Sequence, residues 1–222
     1  MIDAVRLTNR VQIGPAGVYT GICIALGLLM VGHTTNQLWS DLDFWVWLGP
    51  VREFAARPLN PTHPLVAVDA PDSYMGPYTF VLGSLTRLTG ADPVNVMAIA
   101  GLANLGILVT GLWHLTRRVS TATWAPPLAL LFTLVAWGWK PWQWSGYPNL
   151  NSLGIVLPLG STFAYGTGLI FLTALWEWLH AKSIPALALA AVTFPITLLS
   201  HPVTGFWVAL IAIGFVGSQI GT

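Results

Sequence analysis

The chain has 222 residues, 55% of them hydrophobic and only 8% charged, with a formal net charge of +1. Soluble domains carry about 25% charged residues, so this composition, with a mean hydropathy of +0.68, cannot cover a water-exposed surface and implies an integral membrane protein. Basic residues cluster nowhere beyond Arg117 and Arg118, which argues against nucleic acid as a partner, and the lone Cys23 has no mate for a disulfide or a metal site.

A helix needs about 20 mostly apolar residues to cross the hydrocarbon core while satisfying its own backbone hydrogen bonds. The first such run, Gly17 to Trp39, is too long for a signal h-region and lacks an A-x-A-like cleavage site, so it is read as a retained span. Ser40 to Asp92 then forms a long loop with six of the eight acidic residues: Asp41, Asp43, Glu53, Asp69, Asp72 and Asp92. Within it, Phe44, Trp47, Leu48, Val51, Phe54 and Ala55 recur at helical spacing, and Tyr74, Tyr78, Val81, Leu82, Leu85 and Leu88 form a second stripe. The second stripe leaves Thr79, Gly83, Thr86 and Arg87 on another face. These stretches predict two amphipathic helices along the membrane surface, at 41–55 and 74–89, the first kinked at Pro50. The proline-rich segment between them predicts an irregular crossing.

Further apolar runs follow at Pro93 to Leu115, Thr123 to Trp139, Ile155 to Leu179, Ile184 to Leu199 and Pro202 to Gly217. The last two are parted only by "SHP", which allows either a tight helical hairpin or one broken helix. The chain therefore predicts an all-α, polytopic membrane helix bundle of about six spans, with a large first extracytoplasmic loop at residues 40–92. No fixed-period repeat or low-complexity tract divides it, so residues 1–222 read as a single transmembrane domain. Alternating spans put Arg6, Arg10, Arg117, Arg118 and Lys182 on one side, against Arg52, Arg57, Arg87 and Lys140 on the other. That bias predicts a multi-pass plasma-membrane protein with a cytoplasmic N-terminus.

The acidic pair in "SDLDFWVW" admits two readings. Ser40 followed by Asp43 resembles a capping box, and carboxylates in a first turn favour the helix dipole. Alternatively, Asp41 or Asp43 acts as a base, because partial desolvation raises a carboxylate's pKa and makes it a better proton acceptor. His63 in "NPTHPLV" could position a phosphate or hydroxyl, or be an inert loop residue. His201 in "LLSHPVTG" either caps a helix or lines a cavity, since a polar break in a membrane helix is costly elsewhere. Lys140, Trp142 and Trp144 in "WGWKPWQWSGYPNLNS" suit an interfacial anchor, and equally a lipid phosphate and a sugar ring. No zinc spacing, Walker motif or nucleophile elbow occurs.

With "SDLDFWVWLGPVREF", "NPTHPLVAVDAPDSYMGPYTFVLGSLTRLTG" and the span ending "GLWHLTRRV" in view, the N-terminal half resembles GT-C-type integral membrane glycosyltransferases. The resemblance covers roughly residues 15 to 119, the remainder matching by hydropathy. It implies transfer of a sugar from a polyprenyl-phosphate donor to a glycan, lipid or protein acceptor on the outer face, with a first-loop aspartate as general base. By position that role falls to Asp41 or Asp43. The cofactor is unknown: a divalent cation suits such chemistry, and no dedicated motif marks a site for one. GT-C cores generally have at least seven spans, so the chain is expected to be the N-terminal part of a longer protein. The competing expectations are a polytopic transporter, with "SHP" marking a broken helix near a substrate path, and a non-catalytic scaffold of the same layout.

Overall fold

The computed structural model describes residues 14–35, 42–67, 70, 72–136 and 148–220. Among these, every regular element is a helix. In chain order they are α1 (Pro15–Thr35), α2 (Leu42–Ala56), α3 (Pro77–Thr89), α4 (Pro93–Val119) and α5 (Ala125–Val135). There follow α6 (Leu153–Val156), α7 (Gly160–Ala181), α8 (Ile184–Ser200) and α9 (Pro202–Ile220). Three are long and apolar enough to cross a membrane, over Pro15–Gly32, Pro93–Val119 and Pro202–Gln219. The apolar helices α5 and α8 are shorter. At 1.5 Å per residue, the 11 residues of α5 reach about 16 Å and the 17 residues of α8 about 25 Å, short of a hydrocarbon core of about 30 Å.

The run read as one span from Ile155 to Leu179 is divided. Leu157 to Leu159 separate α6 from α7, and Leu159 is extended, with φ −85° and ψ 151°. Backbone freed inside an apolar bundle must find other partners, and it does. Asn104 Nδ2 of α4 donates to the Leu157 carbonyl at 2.7 Å and to the Tyr78 hydroxyl at 3.0 Å. Tyr78 Oη of α3 in turn donates to the Pro158 carbonyl at 2.6 Å. Thr162 Oγ1 closes on the Val156 carbonyl at 2.7 Å.

Beyond the break, α7 crosses α4 at Gly111 and Gly166. A Cβ on Gly111 would lie 3.0 Å from the Gly166 carbonyl oxygen, and one on Gly166 would lie 3.0 Å from the Leu108 amide nitrogen. Backbones approach this closely only where side chains are small, the usual device for packing helices in lipid.

The "SHP" break is a hairpin. A Cβ on Gly205 of α9 would lie 2.6 Å from the Leu198 Cα of α8. Seven residues along a straight helix would separate these by about 10 Å, so the chain folds back at His201.

The stripe Phe44, Trp47, Leu48, Val51 and Phe54 is the buried face of α2, which runs through Pro50 without interruption. In α3 the outcome differs from a simple apolar-inward pattern. Its buried residues are Tyr78, Thr79, Leu82, Gly83 and Thr86, whereas Val81, Leu85 and Leu88 are exposed, Leu88 to 82%. The small face wins the interior because Gly83 lies directly against α2, where a Cβ would come within 2.5 Å of Phe54 Cβ. An apolar face turned outward is penalised by water and tolerated by lipid.

Caps fix where the elements stop. Asp92 Oδ1 accepts from the Val94 amide at 2.7 Å, with Pro93 opening α4. Gly90 takes a left-handed φ of 68° to end α3. Arg87 of α3 donates to the Ala55 and Ala56 carbonyls at 3.1 and 3.2 Å, closing the C-terminus of α2. Asp92, one of the acids that made the loop conspicuous, is thus a helix cap.

Candidate functional site

The polar groups separate toward the two ends of the bundle. At one end, Arg118 of α4 pairs with Glu177 of α7 at 2.9 Å, and Lys182 places its ammonium 5.4 Å from the Trp178 ring centroid. At the other lie the start of α2, the segment before α3, the start of α7 and the α8–α9 turn. Trp47 joins all four. Its ring meets Tyr74 edge-on at 4.9 Å and Tyr78 at 6.1 Å, and lies 6.4 Å from His201. A Cβ on Gly160 at the start of α7 would lie 2.2 Å from the Trp47 ring. Only glycine leaves room for that indole.

Asp43 stands in the first turn of α2, one turn before Trp47. It is partly exposed. On the facing segment, Asp72 Oδ1 accepts from the Tyr74 amide at 2.8 Å, an Asx turn. Asp72 Oδ2 is buried and has no hydrogen-bond partner among the described residues. The phenol of Tyr74 registers both acids: burial first, then the Asp43 and Asp72 carboxylates, push its pKa above the ordinary value. Two carboxylates therefore act electrostatically on one tyrosine, which packs edge-on against Trp47.

His201 ends α8 and opens α9. Its Nδ1 lies 2.8 Å from Thr204 Oγ1 and accepts from the Thr204 amide at 3.3 Å. Accepting at Nδ1 requires the ring proton on Nε2, and burial lowers the imidazole's pKa. Both effects favour the neutral ring. Of the two readings of His201, the cap is the one observed: Nδ1 caps α9, and the ring lies 6.4 Å from that of Trp47.

Of the remaining candidates, the structure describes His63. His63 holds its own loop, its Nδ1 accepting from the Leu65 amide at 3.2 Å. That loop is pinned to α2 at Glu53, which accepts from Arg57 at 2.7 Å and from the Thr62 amide and hydroxyl at 3.2 and 3.1 Å. Burial alone would raise the Glu53 carboxyl; the Thr62 bonds and Arg57 outweigh it and hold the carboxyl below its usual value. Asp41, Lys140, Trp142 and Trp144 lie outside the described residues. Among the described residues, no group of three His, Cys, Asp or Glu side chains is placed to hold a metal ion.

Asp72, Tyr74 and Trp47 join this constellation without having been singled out as site residues. For Asp72 and Tyr74 a signal existed in "PDSYMGP", where an aspartate two residues before a tyrosine in a proline-bounded turn suits an Asx turn. Trp47 carried none, since a tryptophan on an apolar stripe reads as core. No family model matches the chain, and neither a curated protein nor a solved structure shows significant similarity to it.

Proposed function

We propose that the chain is a GT-C-type membrane glycosyltransferase, or the N-terminal part of one, using a polyprenyl-phosphate sugar as donor. The observation that carries this reading is the meeting of Asp43, Asp72 and Tyr74 beside Trp47 and His201. A carboxylate next to the first long apolar helix would take the proton from an acceptor hydroxyl. As that oxygen forms its bond to the sugar's anomeric carbon, the bond from that carbon to the lipid phosphate breaks. The phosphate leaves with the electron pair. Tyr74, partly exposed against the buried Trp47, supplies aromatic surface for a sugar ring, and His201 a polar group on the other side of that indole. Asp41 remains an alternative base, with Asp43 then serving the helix start.

In this reading the bundle makes six crossings, with the short helices α5 and α8 among them. The end bearing Asp43 and His201 faces outward, α2 and α3 lie along the outer membrane surface, and the N-terminus is cytoplasmic in the plasma membrane. Acceptors of glycan, lipid or protein type are all compatible, and a divalent cation would neutralise the leaving phosphate. Lys140, Trp142 and Trp144 would belong to the same outer end, as would His63.

One observation favours a transporter instead: the helix break between α6 and α7, since discontinuous helices commonly line substrate paths. Against it, the freed carbonyls of Leu157 and Pro158 already accept bonds from Asn104 and Tyr78. The deciding experiment supplies membranes containing the protein with radiolabelled polyprenyl-phosphate sugars. Transfer that is lost in Asp43→Asn or Asp41→Asn, at normal expression, supports the reading. Transfer unaffected by either substitution removes the base assignment, and uptake of free solute without transfer would support the transporter.

A further inference from the structure

One helix contact in this molecule opens into a groove between two long apolar helices. A groove of about 530 Å³ runs between α1 and α4, bordered by Tyr19, Cys23 and Gly27 on one side and Gly106, Val109 and Trp113 on the other. The helices are tied at one level, where Tyr19 Oη donates to the Val109 carbonyl at 2.5 Å and its ring packs 4.9 Å from Trp113. Away from that tie they part. A Cβ on Gly27 or on Gly106 would meet nothing within 4 Å. The contrast with Gly111 and Gly166 is direct: there glycine lets backbones touch, and here glycine enlarges a gap.

Both walls belong to helices long and apolar enough to cross a membrane. Water in such a gap would find few polar partners. In a bilayer the material at hand is an acyl chain. The groove also has a polar end. The face of α4 that carries Leu102, Leu105, Val109 and Trp113 continues through His114 to Arg117 by helical repeat, and both of these are exposed. Arg118 is committed to Glu177, whereas Arg117 has no ion-pair partner among the described residues. A cation with no ion-pair partner among the described residues, at the mouth of an interhelical groove, suits a lipid phosphate.

We propose that the α1–α4 groove binds an anionic phospholipid, with its acyl chain along Gly27 and Gly106 and its phosphate at His114 and Arg117. This rests on the membrane location of α1 and α4 and is independent of sugar transfer. The test uses the full chain, purified and delipidated in detergent. Dioleoyl phosphatidylglycerol or dioleoyl phosphatidylcholine is added, and retained lipid is counted by native mass spectrometry. The wild type should retain phosphatidylglycerol preferentially, and Arg117→Gln should cut that preference about fivefold, the effect of one cation beside an anionic headgroup. Gly106→Leu places its side chain in the open gap and should lose retained lipid of either headgroup, with an unchanged melting temperature. Equal phosphatidylglycerol retention by Arg117→Gln and wild type would overturn the proposal. So would a folded Gly106→Leu that keeps its lipid, or a wild-type dimer that this substitution dissociates, because a second copy would then fill the groove. Should Gly106→Leu fail to fold, the exposed Arg117 variant still decides.

Discussion

Two polar constellations occur in this bundle, and they are built differently. Around Asn104, 2% exposed, the donors Asn104 Nδ2 and Tyr78 Oη meet the carbonyls of a broken helix, all within 3.0 Å. Around Trp47, by contrast, Asp43 is partly open to solvent, Asp72 Oδ2 is buried without a partner among the described residues, and the His201 ring lies 6.4 Å from the indole with its pKa pushed down by burial. A satisfied buried network specifies a packing arrangement; an incompletely satisfied one keeps polar atoms free for something else. The comparison teaches where architecture ends and chemistry can begin.

The sharpest way to break the contrast is to neutralise one member of each group. Asp43→Asn should lower sugar transfer by about 10²- to 10⁴-fold, the range for a lost general base, while leaving the unfolding midpoint within the roughly 1 kcal/mol of a lost helix-start interaction. If stability falls and the turnover of the surviving folded protein does not, Asp43 serves the helix start alone. Asn104→Leu should do the reverse. It strands the Leu157 carbonyl and one Tyr78 lone pair in the core, costing about 1–3 kcal/mol per unsatisfied group, measured by unfolding in detergent with turnover per folded molecule retained.

Tyr78→Phe probes the same network more gently. It leaves the Pro158 carbonyl without its donor, and the expected loss is about 1 kcal/mol. A Tyr78→Phe protein as unstable as Asn104→Leu would mean that the two residues act as one unit and not as separate bonds. The smallest effect is a pH dependence at His201. Burial sets its folded pKa below the ordinary 6.5, so the unfolded chain takes up the proton more readily. The cap's contribution is therefore complete above about pH 6.5 and declines as pH falls from there toward the depressed value. His201→Asn, a capping residue that does not titrate, should flatten this decline in melting temperature between about pH 7.5 and pH 5. Identical slopes in the two proteins would show that His201 titrates as freely in the fold as outside it.

The sequence by itself determined the helical, apolar character of the chain. Low charge and long apolar runs leave no other way to satisfy a backbone in lipid, and α1, α4 and α9 fall on runs chosen by hydropathy alone. The proline at 202 and the aspartate at 92 also mark helix starts by local chemistry that needs no tertiary partner. What hydropathy could not see is the division of the fourth apolar run at Leu157 to Leu159, because the donors that permit it sit on α3 and α4, 80 and 53 residues away in sequence respectively. Nor could it see which face of α3 turns inward. An apolar stripe predicts burial, yet Gly83 and Thr79 hold the interior because close helix approach selects small residues. The candidate site divides the same way. Asp43 and His201 are legible as polar interruptions of apolar runs, whereas Asp72, Tyr74 and Trp47 enter only when the tertiary fold brings four separate segments around one indole ring.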